Sequence, residues 1–286
     1  IVGVATDPEL PNSSIQIMWK SEPIPVQYNN TDVAFVTDLL KDLITTVLNE
    51  RFQDITSKPG APFLAAEIYC GQICETCDVV LTETLFKDGE ALPALAAFYT
   101  EIEKMKRYGF TDAEIQRAKD EIVSRYEKRA EGADTRKNAE FIPDLISNFF
   151  DNMPYMDPAD ELQVVQMLLP QLPAQIVNMV VAQMVTPDNF VLVYKAPEKE
   201  GLVHPSEELF LSVLEEVSAM EIEAGEEEET ASEFLNPAAL KGSKVKKSGT
   251  VIYGATKWTL KNGVDVILLP TEYEKDRISF SLFKDG

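Results

Sequence analysis

The longest regular pattern in this chain is a run of apolar residues at helical spacing between residues 32 and 54. The spacing predicts a long amphipathic helix that buries one face against the rest of the fold. Thr31 or Asn30 stands in front of it as a candidate N-terminal cap. The apolar positions are Val33, Phe35, Val36, Leu39, Leu40, Leu43, Ile44, Val47, Leu48 and Phe52.

Strand and helix patterns alternate around this helix. Residues 14–20 alternate apolar and polar side chains, which predicts an edge-like or half-buried strand. Residues 63–85 read as two strands, and 190–194 as one more. Capping and periodicity signals place further helices at 92–108, 111–129, 136–150, 158–169 and 174–184. This order predicts an α+β fold, in which a largely antiparallel sheet carries helices packed on one face.

The last part of the chain contains a hairpin signal at Asn262-Gly263. This dipeptide tolerates the positive φ angles of a two-residue turn, so residues 258–269 are expected to form two paired strands. Residues 277–283 alternate again and predict a third strand. We expect a first domain at 1–200, a charged linker at 201–250 and, at 251–286, the truncated opening strands of a next homologous domain. The 221–250 segment, with its glutamate and lysine blocks, is expected to be mobile.

The net charge of −22 and the pI near 4.4 exclude several classes of partner. Nucleic-acid binding needs clustered Lys and Arg, and anionic membrane surfaces need the same. No stretch approaches the roughly 20 apolar residues that span a bilayer, so no membrane segment is expected. We expect this chain to be part of a longer parent protein. The acidity favours a periplasmic or extracytoplasmic location for that parent.

Three cysteines lie close together at Cys70, Cys74 and Cys77. Their spacing matches the motif that holds an iron–sulfur cluster in radical-SAM enzymes, so an iron–sulfur protein is one alternative. Strand alternation argues against it, because it places Cys70 and Cys74 on one face and Cys77 on the other. Three buried or half-buried thiols in a hairpin are favoured instead. A thioredoxin-like pair at Cys74 and Cys77 is disfavoured because no helix begins there.

His204 is the only histidine, so a zinc site with two or more histidines cannot be built within this chain. We interpret it as an exposed loop residue. The acidic pairs on the predicted helices are interpreted as solvated surface: Glu101/Glu103, Glu114 and Asp120/Glu121. No catalytic residue and no metal ligand is therefore predicted, and the substrate-binding residues stay unknown.

Several local motifs, in this order, resemble the second domain of insulinase/pitrilysin-type zinc metallopeptidases. They are Thr6-Asp7-Pro8-Glu9-Leu10, the 31–54 helix, Leu85-Phe86-Lys87-Asp88-Gly89, Gly109-Phe110-Thr111-Asp112-Ala113-Glu114-Ile115 with Ala118-Lys119, and Thr186-Pro187-Asp188-Asn189-Phe190 with Ala196-Pro197. The segment from Trp258 to Leu269 resembles the hairpin that begins the third domain.

The resemblance implies a parent with four homologous domains around a chamber that admits peptides. Zinc would be bound in the first domain by an inverted His-x-x-Glu-His helix and a distant Glu, so this chain would need no cofactor itself. Its partners would be the other domains of the same parent and the peptide substrate.

In the substrate-clamping domains of this family, a short sequence motif contains an Arg and a Tyr that hold the substrate. This chain has Thr56-Ser57-Lys58-Pro59-Gly60-Ala61-Pro62-Phe63 in that place, with Phe63 near the tyrosine position. The resemblance therefore implies the non-clamping, chamber-forming domain, inactive on its own. The alternative is a non-peptidase structural or protein-binding member of the same fold.

Overall fold

The computed structural model describes residues 1–186, 188–224, 241–271 and 278–284. The chain divides into two compact units, residues 1–227 and residues 228–286. In the first unit, five strands form one sheet in the order β1-β5-β2-β4-β3. Only β1 and β5 are parallel, so the expected largely antiparallel sheet is confirmed. The strands are β1 (Val2–Asp7), β2 (Ser13–Ser21), β3 (Ala65–Cys74), β4 (Cys77–Phe86) and β5 (Phe190–Pro197).

Seven α-helices of the first unit are described. They are α1 (Asp32–Ser57), α2 (Ala91–Tyr108), α3 (Asp112–Glu131), α4 (Asn138–Asp151), α5 (Pro158–Leu168), α6 (Ala174–Met184) and α7 (Glu207–Ala219). Within the described ranges no single helix is long and apolar enough to cross a membrane. Only α5 with its 3₁₀ extension and α6, taken together across an 88° bend, pass that test. Both contribute buried residues to the core, among them Val165 and Val177.

One face of the sheet packs against the helices. Ile15, Ile17 and Trp19 of β2 are buried, while Gln16 and Met18 between them are only half-buried. Because alternate strand residues point to opposite faces, this pattern places the core on one side of the sheet. The edge-like character expected for 14–20 is wrong, since β2 pairs with β4 on one side and with β5 on the other.

The helix termini follow their local sequence. Thr111 Oγ1 accepts a hydrogen bond from the Glu114 amide at 3.2 Å, and Glu114 accepts one from the Thr111 amide at 2.8 Å, which completes the predicted capping box. Gly109 ends α2 with φ of 69°, which a residue with a side chain rarely adopts. Thr31 occupies the predicted N-cap position of α1, but its side chain accepts no capping hydrogen bond, and its hydroxyl donates to the Tyr28 carbonyl.

Arg51 links α1 to the start of α3. Its guanidinium donates to both carboxylate oxygens of Glu114, at 2.6 and 2.9 Å, and to the Gly109 carbonyl at 3.2 Å. It also lies 5.0 Å from the centre of the Phe110 ring. Both side chains of the pair are largely shielded, with exposures of 17% and 14%. Burial raises the Glu114 pKa, but these hydrogen bonds and the capping contacts outweigh it, so the net pKa is lowered.

Replacing Arg51 by methionine should therefore destabilise the first unit by about 1.5–3 kcal/mol, because Glu114 keeps its charge and loses its partner. The free energy of unfolding would be measured by urea denaturation. Arg117→Met is the matched control: Arg117 Nε lies 3.8 Å from Glu50 in a more exposed pair, so a loss below about 1 kcal/mol is expected.

The Arg51–Glu114 pair should also make the free energy of unfolding depend on pH. The folded pKa of Glu114 lies below its ordinary value of 4.5, so its stabilising contribution is present above that pH and is lost as the pH falls through the folded pKa. The difference in the free energy of unfolding between the wild type and Arg51→Met should become smaller below about pH 4.5. Equal losses in the free energy of unfolding for Arg51→Met and Arg117→Met at neutral pH would contradict the stabilising role of the Arg51–Glu114 pair.

Helix α7 belongs to the first unit, although its residues were expected to lie in the charged linker. Phe210, Leu214 and Val217 are buried in the core of the first unit. Arg107 of α2 donates to the Met220 and Ser218 carbonyls, both at 2.7 Å. The first unit thus extends past residue 200. Residues 225–240, which hold most of the segment expected to be mobile, lie outside the described residues.

The second unit contains a three-stranded antiparallel sheet, β6 (Val245–Thr250), β7 (Thr256–Leu260) and β8 (Asp265–Leu268), in that order. The predicted hairpin is formed, but not with a two-residue turn. The Gly263 amide donates to the Leu260 carbonyl and Gly263 has φ of 88°, whereas Asn262 has no positive φ, so three residues make the turn. The strand predicted at 277–283 is absent from the described residues 278–284, and β6 supplies the third strand instead.

Candidate functional site

A cleft of about 630 Å³ opens beside the end of β3 in the first unit. Helix α1 forms one wall, α3 and the start of α5 another, and the segments around Ile24 and Met153 close its rim. The cleft combines ionisable and apolar side chains, which is typical of ligand sites. The ionisable lining includes Asp38, Lys41, Asp42, Cys70, Asp78, Tyr126 and Glu161, and the apolar lining includes Phe35, Leu39, Met153, Pro154 and Met156.

The spacing of residues along α1 produces its wall of the cleft. Asp38 and Leu39 follow Phe35 by three and four residues, and Asp42 follows them by four and three, so all four lie on one side of the helix. Leu39 is buried, whereas the Asp38 carboxylate stands at the open side. The same helix therefore supplies core contacts and carboxylates to neighbouring surfaces.

Two ion pairs fix carboxylates at this wall. Lys41 Nζ lies 2.7 Å from Asp78 Oδ2, which joins α1 to β4, and Arg125 Nη2 lies 2.5 Å from Asp42 Oδ2, which joins α1 to α3. Partial burial raises the pKa of Asp38, opposed by Lys41 and reinforced by the charges of Asp78 and Asp42. Lys41 therefore neutralises only part of the negative charge of Asp38, Asp42 and Asp78.

The opposite wall carries Tyr126 and Glu161. Burial, together with the negative charges of Glu161 and Asp42, raises the pKa of Tyr126 to about 12, so its phenol stays protonated. Burial also raises the pKa of Glu161, although Arg129 opposes this. Glu161 Oε2 lies 3.4 Å from the Arg129 guanidinium, yet it accepts no hydrogen bond in the described structure. This wall presents a hydrogen-bond donor beside an acceptor.

More carboxylates than cations line the cleft. Five of its lining residues are carboxylates and one is a lysine, so it favours cationic groups and hydrogen-bond donors. Among the residues that the structure describes, no three His, Cys, Asp or Glu side chains lie close enough together to hold a metal ion. The sequence did not predict this site, because its residues are spread over β3, β4, four helices and the segments around Ile24 and Met153.

The cysteines do not converge as the iron–sulfur alternative requires. Cys70 faces α1 and the cleft, where burial raises its pKa to about 11. Cys74 is exposed, and it lies opposite Cys77 across the hairpin. The expected grouping of Cys70 with Cys74 is wrong: the register of the two strands shifts between Gln72 and Cys74, which reverses the alternation.

His204 is not the exposed loop residue that we expected. Its Nδ1 lies 3.0 Å from the Tyr194 hydroxyl, and its ring is half-buried against that tyrosine, which is 1% exposed. The buried phenol thereby gains a hydrogen-bond partner. His204 serves the packing of β5 and takes no part in the cleft.

Two acidic residues interpreted as solvated are also part of the packed structure. Glu103 is 2% exposed and pairs with Arg107 at 3.0 Å and Lys106 at 3.3 Å. Glu114 is held by Arg51 and Thr111. In both cases arginine or lysine partners satisfy the charge, which sequence periodicity alone does not reveal.

Phe63, near the position of the clamping tyrosine in the resemblance, lies in the core. It is 2% exposed, and its ring centre is 6.4 Å from that of Phe52 in an edge-to-face contact. It is not available to a ligand.

Comparison with solved structures gives the fold. The crystal structure of the periplasmic protease PqqL from Escherichia coli superposes with a TM-score of 0.73 at 16% identity, over 96% of this chain and 30% of that one. The first half of PqqL alone gives 0.70 at 15% identity, over 78% of this chain and 48% of that one. The fold is that of the insulinase-type peptidases.

Two other solved structures extend the comparison. A predicted insulinase family protease from Yersinia pestis gives a TM-score of 0.65 at 12% identity, over 77% of this chain and 46% of that one. A chain of Complex III₂ from Candida albicans gives 0.51 at 10% identity, over 76% and 49%. Neither a protein-family model nor a curated protein sequence matches the chain. The chain spans about a third of PqqL and about half of the other neighbours.

Proposed function

We propose that this chain is a non-catalytic, chamber-forming part of a zinc-dependent endopeptidase that hydrolyses peptides. The zinc ligands would lie in another domain of the same parent chain, and the peptide substrate would be enclosed between the domains. A periplasmic or extracytoplasmic location is proposed for the parent.

The observation that carries the proposal is the superposition on the first half of a protease, of which the chain covers about half. The ligand chemistry supports it. His204, the single histidine, is engaged with Tyr194, and the cleft offers oxygen ligands without imidazole. Catalytic zinc sites of peptidases use histidine ligands together with a carboxylate, so the zinc is assigned to a different domain.

The test compares the chain with the full-length protein that its gene encodes. Zinc would be measured by metal analysis, and peptidase activity with an unstructured fluorogenic peptide. The full-length protein should hold about one zinc per chain and lose its activity on chelation, while the chain alone should show neither.

Deleting residues 1–224 from the full-length protein should abolish activity and leave zinc bound, because the metal site and the chamber wall are on different domains. Stoichiometric zinc with chelator-sensitive cleavage by the chain alone would overturn the proposal.

The second candidate is a non-peptidase structural or protein-binding member of the same fold. The similarity to a chain of Complex III₂ favours it, since that chain belongs to a multisubunit assembly. A full-length protein that binds no zinc, cleaves no peptide and co-purifies in a stable complex would support this candidate.

A further inference from the structure

The end of the β3–β4 hairpin places two cysteines opposite each other. Up to Gln72 and Asp78 the two strands run in one register, and after the shift Cys74 pairs with Cys77. Ile73 has no partner, which is the pattern of a β-bulge. Only Glu75 and Thr76 separate the two cysteines along the chain.

Opposed residues in an antiparallel pair have side chains on the same face and Cα atoms about 4.5–5.5 Å apart. Disulfides form between residues whose Cα atoms lie about 4.4–6.8 Å apart. The register therefore brings Cys74 and Cys77 within bridging range without rearrangement of either strand. Cys70 faces the other side of the sheet, so it cannot reach either of them.

The surroundings of the three thiols differ. Cys74 is exposed, and its Sγ lies 3.7 Å from the Thr76 hydroxyl. Cys77 is half-buried, and its Sγ makes a weak 3.4 Å contact with the Asp78 carbonyl. Both are free thiols with no strong partner. Burial against α1 raises the pKa of Cys70 to about 11, which leaves almost no thiolate near neutral pH.

We propose that Cys74 and Cys77 are an oxidation site that forms an intramolecular disulfide by exchange with a small-molecule disulfide such as oxidised glutathione. The Cys74 thiolate attacks one sulfur of the glutathione disulfide and releases one glutathione thiolate. The Cys77 thiolate then attacks the Cys74 sulfur of the mixed disulfide and releases the second. Two protein thiols are oxidised, and one glutathione disulfide is reduced to two glutathiones, which take up the two protons.

The disulfide would close the hairpin covalently at one end of the cleft. Gly71 and Gln72, which line that cleft, lie within three residues of Cys74 on β3. The oxidised hairpin would hold this strand end against β4. The inference does not depend on peptidase function, since it needs only the hairpin register.

The test is oxidation of the complete chain with oxidised glutathione, followed by alkylation and peptide mapping by mass spectrometry. The native chain should lose the mass of two hydrogens, with one disulfide between Cys74 and Cys77. Cys70 should be alkylated only after denaturation. Reduction with dithiothreitol should reverse the change.

Single substitutions separate the roles. Cys70→Ser should form the disulfide like the wild type, whereas Cys74→Ser and Cys77→Ser should stop at a glutathione adduct on the remaining hairpin thiol. Far-UV circular dichroism before oxidation checks that each variant is folded. Stable adducts on both cysteines of the wild type, a bridge to Cys70, or disulfide-linked dimers would overturn the proposal.

Discussion

Replacing Phe52 by alanine should lower the free energy of unfolding of the first unit by about 3–5 kcal/mol. Phe52 is fully buried on α1, and its ring centre lies 5.2 Å from that of Phe98 and 6.4 Å from that of Phe63. The substitution removes the contacts of a whole ring and leaves a cavity between α1 and α2. Urea denaturation followed by far-UV circular dichroism measures the effect, since all the described α-helices belong to this unit.

Phe149→Ala is the matched control. Phe149 lies on α4 and is 80% exposed, so the same substitution should change stability by less than about 0.5 kcal/mol. A comparable loss in the two variants would mean that the Phe149 side chain is buried in solution, or that Phe52 is not in the core.

Removing α7 should have a similarly large effect. A chain ending at residue 224 should unfold with the same midpoint as the first unit of the complete chain. A chain ending at residue 200 loses Phe210, Leu214 and Val217 from the core, each contributing about 1.5–3 kcal/mol. Because whole domains have only about 5–15 kcal/mol of stability, we expect the shorter chain to unfold at least in part.

The comparison also tests the boundary between the units. Circular dichroism and urea titration of the two truncated chains give the measurement, and the 1–224 chain serves as its own control for loss of the second unit. Equal stability of the two chains would show that α7 is dispensable and that the first unit ends near residue 200, as the sequence alone suggested.

Features governed by neighbouring residues could be predicted from the sequence. The capping box at Thr111 and Glu114 and the end of α2 at Gly109 each depend on atoms within a few residues. The helical spacing of 32–54 likewise reports directly on one buried face. These elements formed where they were expected.

Features governed by distant residues could not be predicted. Strand β1 was missed because its evidence is the pairing with β5, about 190 residues later. The bulge at Ile73, which decides which cysteines face each other, depends on the register with β4. The sequence predicts that Glu103 lies on the surface, because its ion pairs with Arg107 and Lys106 are visible only in the structure. The cleft forms only when β3, β4, four helices and the segments around Ile24 and Met153 come together, so no window of sequence contains its signal.

The strand order also constrains how the protein is made. Strand β5 lies between β1 and β2, although a short loop connects these two in the chain. Because β1 pairs only with β5, it cannot join the sheet before β5 is made. During synthesis at about 5–20 residues per second, the edge of β2 that β5 will cover stays unpaired for roughly 10–40 seconds, until β5 emerges from the ribosome. Throughout that interval the amides and carbonyls of this edge can bind a strand of another nascent chain. We therefore expect this protein to depend on chaperones that shield strand edges early in translation.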